Sequence, residues 1–226
     1  MKKIPKEVLE IVGKLRADNF EAYLVGGCVR DFLREEKPKD WDVTTNAAPE
    51  EIQKIFPDSF YENEYGTVGV KTDSEDESLK VIEITPYRLE EKYSDKRHPD
   101  EVRFTKNLED DLKRRDFTIN ALAYDSEKKK VIDKFVGEAD LEKKIIRAVG
   151  EPEERFKEDA LRLMRAVRFA SELDFKIEPK TEAAVKKLAG ELKFISKERI
   201  RDEFVKILEA GGAAGGVEKL RALGLL

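Results

Sequence analysis

Every strand signal in this chain falls within its first two thirds. Up to about residue 150, short β-branched runs alternate with amphipathic stretches; beyond it only helical periodicity remains. The pattern predicts an α/β N-terminal domain, a small mixed sheet with helices, over residues 1–148, and an all-α domain over 149–226. Within the first part, residues 6–18 predict a helix and "AYLVGG" a buried strand that runs into a Gly-Gly turn. A helix over Val29–Arg34 and a strand over Asp40–Thr45 follow. "NAAPEEIQKIF" predicts a helix with Asn46 as cap and Pro49 in its first turn. "GTVGVKT" and "LKVIEITPY" predict a hairpin across the acidic turn "DSEDES". Residues 88–103 read as a long polar loop, "LEDDLKRRDFTINALAY" as helical, "KVIDKF" as extended, and "GEADLEKKIIRAVG" as the close of the first part. Helices are expected over 153–173, 179–190 and 196–209, with "EAGGAAGG" as a flexible joint.

Composition narrows the chemistry. Charged residues make up 41% of the chain and the formal net charge is −5. Cys28 and His98 are the only residues of their kinds, which excludes a disulfide framework, a Cys/His zinc site and a Ser-His-Asp triad. No apolar run reaches the length of a membrane span, and the basic N-terminus lacks the apolar core of a signal peptide. The expectation is a soluble cytoplasmic protein.

Four stretches gather polar chemistry. In "VGGCVRD", Gly26 and Gly27 let the backbone approach a ligand, and Arg30 offers a planar donor for phosphate oxygens; a tight turn with a surface arginine is the plainer alternative. In "KDWDVTT", strand alternation puts Asp40 and Asp42 on one face, with Trp41 and Val43 on the other. Two carboxylates that close repel unless cations relieve them, and Mg²⁺ binds through one or two carboxylates plus substrate phosphates. Glu83, between Ile82 and Ile84, is a third candidate carboxylate or an ordinary exposed strand residue. In "RRDFTINAL", Arg115 can hold a phosphate with Asp116 to orient it and Asn120 close behind; a helix-terminal salt bridge is the alternative. In "EDALRLMRAVRFASEL", Ala160, Leu163, Met164 and Val167 form a buried side. Glu158, Asp159, Arg162 and Arg165 lie opposite, with Phe169 near the polar face. Such a face is either solvated or able to read base edges, because Asp accepts and Arg donates.

Taken in order, "GGCVRD", "KDWDVTT", "RRDFTINALAYD", "EDALRLMRAVRFA" and "SKERIRDEF" resemble the motif series of the class II tRNA nucleotidyltransferases. These CCA-adding enzymes share a polymerase β-like head with bacterial poly(A) polymerases. The resemblance spans about residues 20–210 and implies a nucleotidyltransferase head followed by a helical neck, with body and tail domains absent from this sequence. It implies that Asp40 and Asp42 bind catalytic Mg²⁺, and that Gly27 and Arg30, beside Gly26, hold the triphosphate. It further implies that Arg115 contacts the nucleotide, that Asp159 and Arg162 read the base, and that Arg165 and Arg168 complete the pocket. The implied reaction adds C and A from CTP and ATP to the 3′ end of tRNA; separately, basic residues such as Arg199, Arg201 and Lys206 are expected to hold the tRNA weakly. The loop "YRLEEKYSDKRHPDEVRF" resembles that of enzymes able to add the terminal A. An A-adding enzyme or a poly(A) polymerase is the alternative activity, and a non-catalytic nucleotide- or RNA-binding module the alternative of another class.

Overall fold

The computed structural model describes residues 3–62, 65–91 and 101–226. Two compact units emerge. A sheet unit comprises the chain up to Leu89 together with Val102–Arg115 and Ile119–Lys134; Asp116–Thr118 and Phe135–Leu226 belong to a helical unit.

The sheet unit begins with α1 (Lys6–Ala17), whose Val8, Ile11, Val12 and Leu15 form the buried stripe. Then come β1 (Ala22–Val25), α2 (Gly27–Leu33), β2 (Asp42–Thr45), α3 (Pro49–Ile55), β3 (Ser59–Tyr61), β4 (Val68–Lys71) and β5 (Val81–Pro86). β6 (Arg88–Glu91) pairs with β7 (Glu101–Phe104) as a separate ribbon, and α4 (Leu108–Lys113), β8 (Leu122–Asp125) and β9 (Lys130–Asp133) follow. Seven strands form one sheet in the order β3-β4-β5-β2-β1-β8-β9. Its core face is built by the alternation visible in the sequence: Trp41, Val43, Ile82 and Ile84 are buried against Val8, Leu15, Cys28 and Phe32. β2 runs parallel to β5 with Asp42 opposite Glu83.

The helical unit holds α5 (Gly137–Glu142), β10 (Ile145–Ile146), α6 (Pro152–Glu158), α7 (Leu161–Leu173), β11 (Lys176–Ile177), α8 (Pro179–Leu188), α9 (Lys197–Glu209) and α10 (Ala213–Leu223). α7 is its axis, burying Ala166, Val167 and Phe169 along with Leu163 and Met164.

Several local expectations change. β2 starts at Asp42, and Asp40 lies in the bend before it, although the alternation of burial continues back through Trp41. The α3 cap is Ala48, whose N–H donates to the Glu51 carboxylate at 2.7 Å; the Asn46 side chain instead accepts from the Glu21 N–H. Residues 108–124 are not one helix: α4 stops at Lys113, a 3₁₀ turn covers Thr118–Asn120, and Leu122 begins a strand. Strand pairing of β8 with β1 and β9 overrides local helical propensity there. The 88–103 loop contains β6 and β7; its central part, residues 92–100, lies outside the described residues. Strands also do not end at residue 150, since β11 pairs in parallel with β10, so the second unit is not wholly α-helical.

The 153–173 helix is broken. Asp159 is extended (φ −135°, ψ 106°), and its carboxylate accepts from the Leu161 N–H at 3.0 Å to start α7 afresh. A short acidic side chain competes in this way with the helical backbone. Only the first half of "EAGGAAGG" is a joint: Ala210–Gly212 turn between α9 and α10, and Ala213–Gly216 are the first turn of α10. A Cβ on Gly216 would stand 2.5 Å from Ser171 Oγ and 2.7 Å from Ile207 Cγ2, so the bare helix face is what lets α10 approach α7 and α9. Gly215, one residue earlier, has nothing within 4 Å of its would-be Cβ. Gly215→Ala should therefore stabilise by about 0.5–1 kcal/mol through helix propensity alone. Gly216→Ala should destabilise by about 1–2 kcal/mol because overpacking outweighs the same gain. Urea unfolding of the two variants checks the opposite signs.

Candidate functional site

The sheet unit assembles its polar residues where β1 runs into α2 beside the start of β2. Gly26 has φ +79°, and a Cβ there would sit 2.9 Å from Arg115 Nη1 and 3.8 Å from Asp42 Oδ2. Both conformation and space therefore demand glycine at this position. Gly27 is ordinary on both counts, with Arg30 Nη2 at 3.6 Å from its would-be Cβ. Asp42 is half-buried, and Asp40 is exposed. Burial, then the neighbouring charges of Asp40 and Glu83, push the Asp42 carboxyl up to about 7, with Arg115 acting against them. Glu83 is raised too, by burial and then by Glu62 and Asp40. Four carboxylates thus bear on one another about the start of β2 and the middle of β5, and the sequence reading missed Glu62. Among the described residues no three His, Cys, Asp or Glu side chains gather closely enough to hold a metal ion by themselves.

Two further partners of this site were missed. Asp111, fully buried on α4, takes Arg114 Nη2 at 2.7 Å and Arg115 Nη2 at 3.3 Å. Burial opposes its charge, but the two arginines outweigh that and hold the carboxyl below its ordinary value. Thr44 Oγ1, two residues along β2 from Asp42, stands 3.3 Å from the same carboxylate. Arg115 is therefore anchored by Asp111 and not by Asp116. The i, i+3 and i, i+4 spacing from Asp111 to Arg114 and Arg115 is the signal that could have found it. Arg115 Nε is buried with no hydrogen-bond partner among the described residues. Arg30 and Asn120 are brought together, Nη1 to Oδ1 at 2.8 Å, while Arg30 also forks onto Asp31. Cys28 is buried, donates to the Val25 carbonyl and has its thiol pushed up to about 12, chiefly by burial, so it is no nucleophile.

The helical unit holds the other predicted residues. Asp116 takes Arg165 Nε at 2.8 Å and Nη2 at 2.6 Å. Arg168 Nη1 donates to Glu203 Oε1 at 3.1 Å, and its guanidinium lies 4.1 Å from the centre of the Phe169 ring. Arg165 lies over the same ring at 5.2 Å, and Phe117 packs edge-on against it at 5.8 Å. This accounts for Phe169 near a polar face: it is a buried plate under two guanidinium groups. Arg162 is buried, donating to Glu158 Oε2 at 2.8 Å and to the Arg155 carbonyl. Asp159, besides capping α7, takes Arg199 Nη2 at 3.0 Å. Of the expected RNA-holding residues, Arg199 is thus engaged with Asp159, Arg201 with Asp202 and Lys206 with Glu203.

The chemistry assembled is that of phosphate and charge handling: carboxylates short of cations, a glycine cradle under an anchored arginine, and a separate set of arginines and acids. Residues 22–147 match the Poly A polymerase head domain family, and residues 174–226 match the family described as "Probable RNA and SrmB- binding site of polymerase A". The chain belongs to the Poly A polymerase head domain family. Among its relatives, a CCA-adding enzyme of Enterococcus faecalis is 50% identical over 213 residues, which is 94% of this chain and 51% of that protein. One of Streptococcus mutans is 50% identical over 91% of this chain and 50% of its own. The solved Bacillus stearothermophilus CCA-adding enzyme in complex with CTP is similar with a TM-score of 0.89 at 41% identity, covering 100% of this chain and 53% of that one. A Thermotoga maritima CCA-adding enzyme complexed with tRNA has a TM-score of 0.80 at 25% identity, covering 99% of this chain and 52% of its own. The chain spans about half the length of the curated relatives it matches. Among the described residues no helix is long and apolar enough to cross a membrane.

The raised carboxyl of Asp42 has a thermodynamic signature. A folded value near 7 against an ordinary 3.8 means the folded chain binds the proton more tightly than the unfolded one. Stability contributed here is full below the ordinary value, is lost as pH rises through 7, and is flat above that. In chelator-treated buffer, Asp42→Asn should raise Tm at pH 8 by roughly 4 °C, from about 2 kcal/mol after discounting for partial exposure. At pH 4 and below the two proteins should melt together. Calorimetric scans across pH check this.

Proposed function

We propose that this chain carries the nucleotide-transferring portion of a template-independent RNA nucleotidyltransferase that adds C and A from CTP and ATP to the 3′ end of tRNA, releasing pyrophosphate. The sheet unit serves as the catalytic head and the helical unit as the neck that selects the base. The observation that carries the reading is the placing of Asp42 opposite Glu83 and beside the Gly26 cradle, its carboxyl raised by burial and then by Asp40 and Glu83. A merely structural strand gains nothing from such repulsion, whereas a site awaiting cations and phosphate needs it.

The donor set fits a divalent cation of the Mg²⁺ kind. Asp40 and Asp42 offer hard, exposed or half-exposed oxygens, and too few of them converge to complete a shell without substrate phosphates. Those two residues would hold the ion, which when bound supplies charge neutralisation at the transferring phosphoryl group. Gly26 lets phosphate oxygens approach the backbone, and Arg115, fixed by Asp111, offers the facing positive charge. Asp159 and Arg162 pair an acceptor with a donor for base edges, and binding a base exchanges their present bonds to Arg199 and Glu158. In the transfer, the tRNA 3′ oxygen bonds to the α-phosphorus while the bond to the pyrophosphate oxygen breaks. Such a displacement asks for positioning and charge, not a protein nucleophile. That suits a chain with one buried thiol.

The test uses tRNAs ending before CCA, after C and after CC, with Mg²⁺ and with CTP and ATP singly and together. Sequencing the 3′ ends should show completed CCA and no longer tail. Addition of one A to the CC-ended tRNA alone would overturn CCA addition in favour of A addition, a long A-tail would indicate poly(A) synthesis, and nucleotide binding without incorporation would leave a binding module. Asp42→Ala should reduce transfer on the order of a thousandfold. Arg162→Ala should alter the CTP/ATP preference, and an unchanged preference would remove it from base selection.

A further inference from the structure

The residues expected to hold RNA on α9 are engaged with carboxylates, whereas other cations of the helical unit are not. Lys143, Lys144, Lys176 and Lys219 line a concavity of about 660 Å³ floored by the first turn of α10 and by Ser171 of α7. None of the four has an ion-pair partner among the described residues. Elsewhere in the unit Lys180 sits on Glu151 and Lys187 on Glu153, and the lysines that also lack an acid among the described residues, Lys157, Lys186, Lys193 and Lys197, do not line this concavity. Among the described residues the only carboxylate lining the concavity is Asp174.

The fold gathers these lysines deliberately. Lys144 (φ 56°) and Asp174 (φ 55°) both take the left-handed conformation, which disfavours side chains with a Cβ. Those two turns feed β10 and β11, where the Lys176 N–H donates to the Lys144 carbonyl at 2.9 Å and Ile145 lies opposite Lys176. Two segments about thirty residues apart in sequence thus present lysines at one rim. Lys219 reaches the same concavity from α10, one turn beyond Gly215, whose would-be Cβ meets nothing within 4 Å. Two of the four lysines lie outside the 174–226 segment that matches the RNA-binding family.

We propose that this lysine-lined concavity of the helical unit is a docking site for the phosphodiester backbone of the RNA substrate. The inference rests on the reading of the chain as an RNA-extending enzyme and adds where that RNA is gripped. Compact ammonium groups on flexible stems suit non-specific phosphate contact, because they demand no fixed geometry. Four such contacts confer affinity through counterion release, so binding must weaken steeply with salt.

The test is fluorescence anisotropy with a labelled tRNA transcript lacking CCA, without CTP or ATP, across a series of NaCl concentrations. Replacing all four lysines with Gln should weaken binding at least tenfold at low salt. The slope of log Kd against log salt should fall by about 3. Replacement with Arg should restore both, and Arg201→Gln with Lys206→Gln should change Kd less than twofold. An unchanged affinity and slope in the correctly folded Gln variant, judged by circular dichroism, would overturn the proposal. Inorganic tripolyphosphate, titrated by calorimetry, separates a small polyanion as the source of the phosphate. Lysine-dependent micromolar binding of it, with RNA affinity unmoved, would likewise overturn the proposal. Because no turnover is read, the two readings fail separately. Lysine-dependent RNA binding by a protein that incorporates no nucleotide would sink the enzymatic reading alone, and CCA addition with lysine-independent RNA binding would sink this one alone.

Discussion

The sheet unit is organised around a repulsion. The parallel register of β2 and β5 sets Asp42 opposite Glu83, with Asp40 in the bend just before. Like charges directly opposed across strands are destabilising, so the arrangement survives only because the rest of the unit holds the strands in place. The apolar side of the same segments does that: Trp41, Val43, Ile82 and Ile84 are buried, and a one-residue slip would turn all of them outward. The register that protects the core is therefore the register that forces the carboxylates together.

β2 also arranges the counter-charge. Asp42 and Thr44 share a strand face, and Thr44 reaches the buried Asp111, which in turn holds Arg114 and Arg115. Arg115 overhangs Gly26 and opposes the negative charge on Asp42 without forming an ion pair with it. A single arginine tied to another carboxylate leaves the Asp40–Asp42 pair undercompensated, and its own Nε lacks a partner among the described residues. A residual need for positive charge and a residual donor therefore occur at one cradle, as a phosphate-and-cation ligand would require.

Which parts of this were legible follows from the range of the forces involved. Alternation at Trp41/Val43 and Ile82/Ile84 could be read because it is a local consequence of burying one strand face. The hairpin of β4 and β5 could be read from two such runs and an acidic turn. What escaped was decided by partners distant in sequence. Residues 122–125 have helical composition but are claimed as a strand by β1 and β9, and Arg165 reaches back to Asp116 from 49 residues away. The Asp159 break was locally encoded, because an aspartate that accepts from the N–H two residues on is a helix start, but a continuous wheel hides it. The glycines of α10 were misread for the converse reason: small residues denote a close approach between helices as readily as a flexible joint, and only Ser171 and Ile207 decide between them.

The charge balance of the helical unit completes the logic. A formal net charge of −5 argues against polyanion binding if the protein is treated as a sphere. At physiological ionic strength, however, charges more than about 8 Å away are largely screened, so a ligand responds to what lies immediately around it. Pairing is then what separates one basic residue from another. Arg165, Arg168 and Arg199 are tied to Asp116, Glu203 and Asp159, positions where a planar donor is held in a fixed orientation. Among the described residues Lys143, Lys144, Lys176 and Lys219 are held by no acid and remain available to a polyanion. The arginines of this unit provide orientation and its unpaired lysines provide field, and that division of labour is set by which acids the fold places beside them, not by the total.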